Sequence, residues 1–181
     1  MKKHLLTVLI IFFILVSAIT IIIFVRSRSK PIVQSGTTTG AGYKSLVPGV
    51  STKQDAIKIL GTPLNDPSSD TLTFRSNNPN IPNKVVADTD KVVLIKEIVT
   101  AKDNKTTNDI TDKYGAASYT LYGPDSINGF NLYVYPDKGI AYLGHIKEPI
   151  VLEIWYFQPT STEDFKTRWA TEYSETLRLT D

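Results

Sequence analysis

The chain has 181 residues, no cysteine, one methionine and two histidines. Without cysteine, disulfides and thiolate metal centres are excluded, as is anchoring through a lipid-modified N-terminal cysteine. No Gly-x-Ser-x-Gly elbow presents a nucleophile, and no glycine-rich loop opens a helix; Gly36, Gly40 and Gly42 sit in a run of small residues. A basic patch or stripe is also missing, so nucleic acid is not an expected partner. Catalytic candidates thin out to His145, at the end of a strand-like run, and a hydrolase there would need a Ser and an acid beside it. Asp88 and Asp90 flank a turn and could chelate a hard cation. Aspartate is favoured at turns for its own backbone hydrogen bonds, and that reading is preferred. Asp109 and Asp112 suit the start of a helix dipole. An enzyme is therefore not expected, and neither is a cofactor, a metal or a small-molecule substrate.

What the chain does have is one long apolar run. Leu5 to Val25 is 21 residues without a charge, and only Thr7, Ser17 and Thr20 are polar. At 1.5 Å per residue it reaches ~30 Å, the thickness of a bilayer core. It is longer than a signal-peptide core and ends Ile21-Ile22-Ile23-Phe24-Val25, a poor cleavage site. A single-pass transmembrane anchor over residues 5–25, behind a tail of residues 1–4, is the expectation. His4 lies at its edge. Lys2, Lys3, Arg26, Arg28 and Lys30 flank it and suit lipid headgroups. Those five account for the net charge of +2: the twenty basic residues less these leave fifteen, against eighteen acidic ones that all follow Gly42. The remainder is thus acidic, at −3.

Residues 26–45, with Ser35-Gly-Thr-Thr-Thr-Gly-Ala-Gly42 inside, read as a flexible linker. Ser51 with Gln54 forms a capping box for a short helix, with Ala56, Ile57 and Leu60 on its apolar face and Gly61 and Pro63 ending it. Strands are predicted at Thr71–Arg75, Lys84–Ala87 and Lys91–Val99, the last two joined around Asp88-Thr89-Asp90. A second short helix, Asn108–Tyr114, precedes strands at Tyr119–Tyr122, Phe130–Tyr135, Ile140–Ile146 and Ile150–Phe157. Pro136-Asp137-Lys138-Gly139 is a hairpin turn with Gly placed for positive φ. The expected class is α+β, with short helices on an antiparallel meander sheet. The order of elements suggests two tandem helix-plus-three-strand units about 55 residues apart, at residues 46–104 and 105–160. A C-terminal helix is expected over residues 161–181, with Phe165, Trp169, Tyr173 and Leu177 every four positions and a capping box at Thr160–Glu163.

Val47-Pro-Gly-Val-Ser-Thr-Lys-Gln-Asp-Ala-Ile-Lys-Ile-Leu-Gly-Thr-Pro63 resembles the opening of the BamE/SmpA-like family of small envelope lipoproteins. Those proteins begin with a Gly-x-[Ser/Thr] capped helix that ends in Leu-Gly-x-Pro and runs into a three-stranded meander. The whole order of elements is similar to the duplicated arrangement of the β-lactamase inhibitor proteins. The resemblance implies an extracytoplasmic domain that binds other proteins. The positive-inside count, two against three, nearly ties, so the orientation rests on that resemblance. A transmembrane run in place of a lipidated cysteine departs from the family.

Seven of the nine tyrosines fall between Tyr114 and Tyr156. Alternation along the strands puts Phe130, Leu132 and Val134 on one face and Tyr133 and Tyr135 on the other. It likewise separates Ile150, Leu152, Ile154 and Tyr156 from Val151, Glu153, Trp155 and Phe157. With the aliphatic faces under the helices, Tyr133, Tyr135, Trp155 and Phe157 form an exposed aromatic surface suited to a protein partner. The alternatives are a C-terminal helix covering that face in a purely structural domain, or a membrane-anchored hydrolase around His145.

Overall fold

A computed structural model describes residues 40–177, so the expected anchor at residues 5–25 lies outside the described residues. No helix among them is long and apolar enough to cross a membrane. The class is α+β. Helix α1 (Lys53–Leu60) leads into strands β1 (Thr71–Phe74), β2 (Asn83–Asp88) and β3 (Lys91–Ile98). Helix α2 (Thr107–Tyr114) leads into β4 (Tyr119–Leu121), β5 (Phe130–Tyr135), β6 (Ile140–His145) and β7 (Val151–Phe157), and α3 (Thr162–Trp169) follows. All seven strands form one antiparallel sheet in the order β1-β2-β3-β7-β6-β5-β4. The second set thus has four strands, and its last, β7, pairs with β3 to make the seam between the sets.

The two leading helices share one design. Thr52 and Thr106 stand 54 positions apart and cap α1 and α2. Each accepts the N–H of an aspartate three residues on, Asp55 or Asp109, whose carboxylate returns a bond to the cap N–H. That reciprocal pair satisfies orphan helix donors at both ends of the box. Ala56 and Ile110 are the buried residues, and Gly61 and Gly115 end the helices at φ of 92° and 83°. The cap of α1 is Thr52 with Asp55, one residue on from the expected Ser51 with Gln54. Ser51 Oγ instead accepts the Val47 N–H at 2.9 Å, so it is unavailable to the helix.

The turns explain the register. Thr89 and Asp90 both have positive φ, 45° and 68°, as the tight hairpin between Asp88 and Lys91 requires. Gly139 takes φ of +66° at the predicted turn, where a Cβ would lie 2.2 Å from the Phe157 carbonyl oxygen. A bulge between Val86 and Ala87 and another between Leu143 and Gly144 shift the ladders.

Both faces of the sheet carry a core. One packs under α1 and α2 and contains Leu72, Val85, Ile95, Tyr135, Tyr142, Ile154 and Tyr156. The other contains Leu132, Val134, Ala141, Trp155 and Phe157 and packs under Phe165 of α3. Helix α3 is capped by Ser161, whose side chain accepts the Asp164 N–H, and it ends at Trp169. The chain then turns back so that Ser174 bridges to Tyr122, which needs extended backbone and stops the expected helix well before residue 181. Tyr173 still packs on this core, and Leu177 is exposed.

The expected linker also ends earlier than residue 45. Tyr43 and Leu46 are buried and pair across Lys44 and Ser45, both at positive φ. The Ala41 N–H donates to the Lys138 carbonyl at 2.8 Å. A Cβ on Gly42 would come within 2.5 Å of the Leu46 carbonyl oxygen. Gly40 and Gly42 are therefore there for close approach, although their neighbours in sequence look like a flexible spacer.

Candidate functional site

The four aromatic residues expected on one open face do not share a face, and three of them are closed to solvent. Register decides this. Val134 of β5 lies opposite Ala141 of β6, which lies opposite Trp155 of β7. Trp155 and Phe157 thus join the Leu132 and Val134 face, while Tyr133 and Tyr135 join the Ile154 and Tyr156 face under the helices. Alternation assigns faces within a strand, but only pairing relates one strand to the next. Trp155, Phe157 and Tyr135 are 1%, 0% and 2% exposed. Phe165 of α3 packs at a tilt against Phe157, 4.6 Å between ring centroids, and against Trp155, at 6.1 Å. Tyr133 stacks on Tyr142 at 4.9 Å and is half-buried.

His145 is engaged by the backbone and by an aromatic ring. Its Nδ1 accepts backbone N–H groups from Glu148 (2.9 Å) and Lys147 (3.3 Å), and its ring packs edge-on against Phe130. Among the described residues no Ser, Asp or Glu side chain hydrogen-bonds to it, so it caps the end of its strand. Asp88 accepts the Thr89 hydroxyl within its turn, and no group of three or more metal-ligating side chains occurs among the described residues.

Two other places stand out. The first is the half of the sheet that α3 leaves uncovered. One row crosses all seven strands: Thr73, Lys84, Lys96, Trp155, Ala141, Val134 and Tyr119. Its apolar end lies under α3; at the other end Lys84 is exposed and Lys96 half-buried. Lys84 and Lys96 face each other directly across β2 and β3. Like charges in that relation are destabilising. Neither ammonium has a salt bridge or hydrogen bond among the described residues. The Lys96 Nζ sits 3.4 Å above the centre of the Trp155 ring, a cation–π contact. The nearby Glu153 is already held by the Trp155 indole N–H at 2.6 Å. Burial pushes the Lys96 ammonium below its usual pKa; Glu153 pulls the other way, and Lys84 adds to the lowering. A groove of about 340 Å³ runs along this edge, with Ile81, Pro82 and Pro124 as apolar walls and with Asp125, Glu153 and Glu172 lining it beside the two lysines.

The β1 edge of the sheet is covered. Asn65 binds the outer backbone of β1, accepting the Thr73 N–H and donating to the Thr71 carbonyl. At the other edge Ser174 pairs with Tyr122, just past β4, on both sides of a single bridge. Strand addition at β1 would have to displace Asn65.

The second place is a polar cleft of about 500 Å³ at the β3–β7 seam, on the helix face. At its floor Glu97, 4% exposed, accepts the Tyr156 hydroxyl at 2.8 Å and pairs with Lys105. Burial, then Glu97, raise the Tyr156 phenol well above the usual tyrosine range, because an adjacent carboxylate opposes a second negative charge. Tyr43 stacks on Tyr156 at 5.9 Å. Buried Asn83 accepts the Ile98 N–H at 2.8 Å and donates long bonds to the Arg75 carbonyl and Tyr43 hydroxyl. No local pattern announced this network, since Glu97 and Tyr156 meet only through the seam.

The chain matches no protein-family model and no curated protein. Among solved structures it is similar to the crystal structure of a DUF4309 family protein (YjgB) from Bacillus subtilis. The identity is 14% and the TM-score 0.45, over 66% of this chain and 88% of that one.

Proposed function

We propose that this is a membrane-anchored, extracytoplasmic protein-interaction domain that receives an acidic partner surface on the open half of its sheet. The observation that carries the reading is the Lys84–Lys96 pair. Two lysines directly opposite one another cost the isolated domain stability. They stand on the stretch of sheet that α3 leaves bare, beside an aromatic residue. Lys96 is held by the Trp155 ring, whereas Lys84 has no such partner among the described residues, and a residue that weakens a fold in this way is expected where function needs it. A carboxylate from a partner would relieve the repulsion and find the apolar groove walls at hand. The resemblance of Val47–Pro63 to a family of protein-binding envelope proteins points the same way, and the apolar run Leu5–Val25 supplies the anchor.

The test compares Lys84→Thr and Lys84→Glu by in-cell crosslinking and affinity capture. Both variants should stay folded. Lys84→Thr should raise the urea midpoint, by about 0.2–1 kcal/mol of stability. Recovery of the partner should fall about five- to tenfold in Lys84→Glu, the scale of one lost charge contact. Undiminished recovery from a folded Lys84→Glu protein would sink the proposal.

A further inference from the structure

We infer that the cleft at the β3–β7 seam is a binding site for a phosphate-bearing ligand, separate from the partner surface on the opposite face. The argument begins with charge. The protein beyond residue 42 carries an acidic excess, yet the cleft gathers Lys44, Arg75 and Lys105. An adjoining hollow of about 560 Å³ shares Arg75, Ser76 and Asn77 with it and adds Lys102. Four cations against two carboxylates, Glu97 and Asp103, leave a surplus of two across these two hollows, which meet at Arg75, Ser76 and Asn77.

Both carboxylates are already committed. Glu97 holds Lys105 and the Tyr156 hydroxyl. Asp103 accepts the Thr100 N–H and hydroxyl at 2.8 Å and the Asn77 amide at 2.6 Å. The guanidinium of Arg75 and the ammonium groups of Lys44 and Lys102 make no salt bridge or hydrogen bond among the described residues. Lys44 has only the Tyr43 ring, 5.2 Å away. Asn83 donates only at 3.3 and 3.4 Å, so its amide is a loosely held donor at the floor.

Size and lining select the ligand. The volume lies in the range of small-molecule sites. Arginine and lysine around one hollow suit a group with several acceptor oxygens, and a surplus of two matches a phosphate monoester better than a single carboxylate. The stacked Tyr43 and Tyr156 rings give the rest of the molecule an aromatic floor.

The experiment uses the full chain and reads its melting temperature by tryptophan fluorescence, at matched ionic strength. Glycerol phosphate is added to protein in neutral detergent. In parallel, the protein is placed in nanodiscs that contain phosphatidic acid, a lipid phosphate monoester, or phosphatidylcholine alone. The double variant Lys44→Gln, Arg75→Gln is compared throughout; both side chains are exposed, so it should fold and melt like the wild type without ligand. A rise of about 2–8 °C in the wild type, absent from the double variant, is expected. A rise with glycerol phosphate identifies a free ligand, and a rise confined to phosphatidic acid discs identifies a lipid headgroup. No rise under either condition, or an equal rise in the double variant, overturns the assignment.

Discussion

At the scale of single residues, the tyrosines carry most of the information. Tyr135, Tyr142, Tyr156 and Tyr173 all have phenols raised above the usual range, each chiefly by burial. The folded state therefore holds these protons more tightly than the unfolded chain does. Stability from this source is complete below pH ~10 and falls as pH rises through the unfolded-state value. A titration followed at the phenolate absorbance should show these four ionising only together with loss of near-ultraviolet dichroism. Smooth ionisation of all described tyrosines with the fold intact would contradict their burial. The acid side has the opposite sign. Backbone and side-chain bonds from Thr52 and Thr106 hold Asp55 and Asp109 below the usual carboxylate range. The stability these caps contribute is present above about pH 4 and is lost as pH falls below it.

Secondary elements were legible wherever the signal was local. The Asp88–Asp90 and Pro136–Gly139 turns, the glycine stops at Gly61 and Gly115 and all seven strands follow from residue types at short spacing. What could not be read was how strands meet. The face shared by Trp155 depends on Ala141, and the opposition of Lys84 to Lys96 depends on a ladder that shifts at Val86. Neither leaves a mark within one strand. The glycines before Tyr43 misled for a similar reason, since composition cannot see the Leu46 carbonyl or Pro159 against them. That gives a direct prediction. Gly42→Ala should destabilise the domain by about 1–3 kcal/mol through overpacking, read as a lower urea midpoint at unchanged m-value. A neutral Gly42→Ala would mean that the stretch is a spacer after all.

For the molecule as a whole, the division of labour between the two sheet faces is the main result. One face is covered by α1, α2 and the Tyr43 turn, the other by α3 over half its width. The aromatic residues that looked like a binding surface are instead the core that fastens α3 down, and what stays open is a strip centred on two opposed lysines. The claim that this strip is the partner surface is tested most directly by a photoreactive residue placed in living cells at position 81, where exposed Ile81 walls the same groove and both lysines are left intact. Asp112, exposed on α2 at the helix face, serves as the control position. The account predicts one discrete adduct from position 81, lost when Lys84→Glu is added, and none from position 112. No adduct at 81, or the same adduct from both positions, would contradict it.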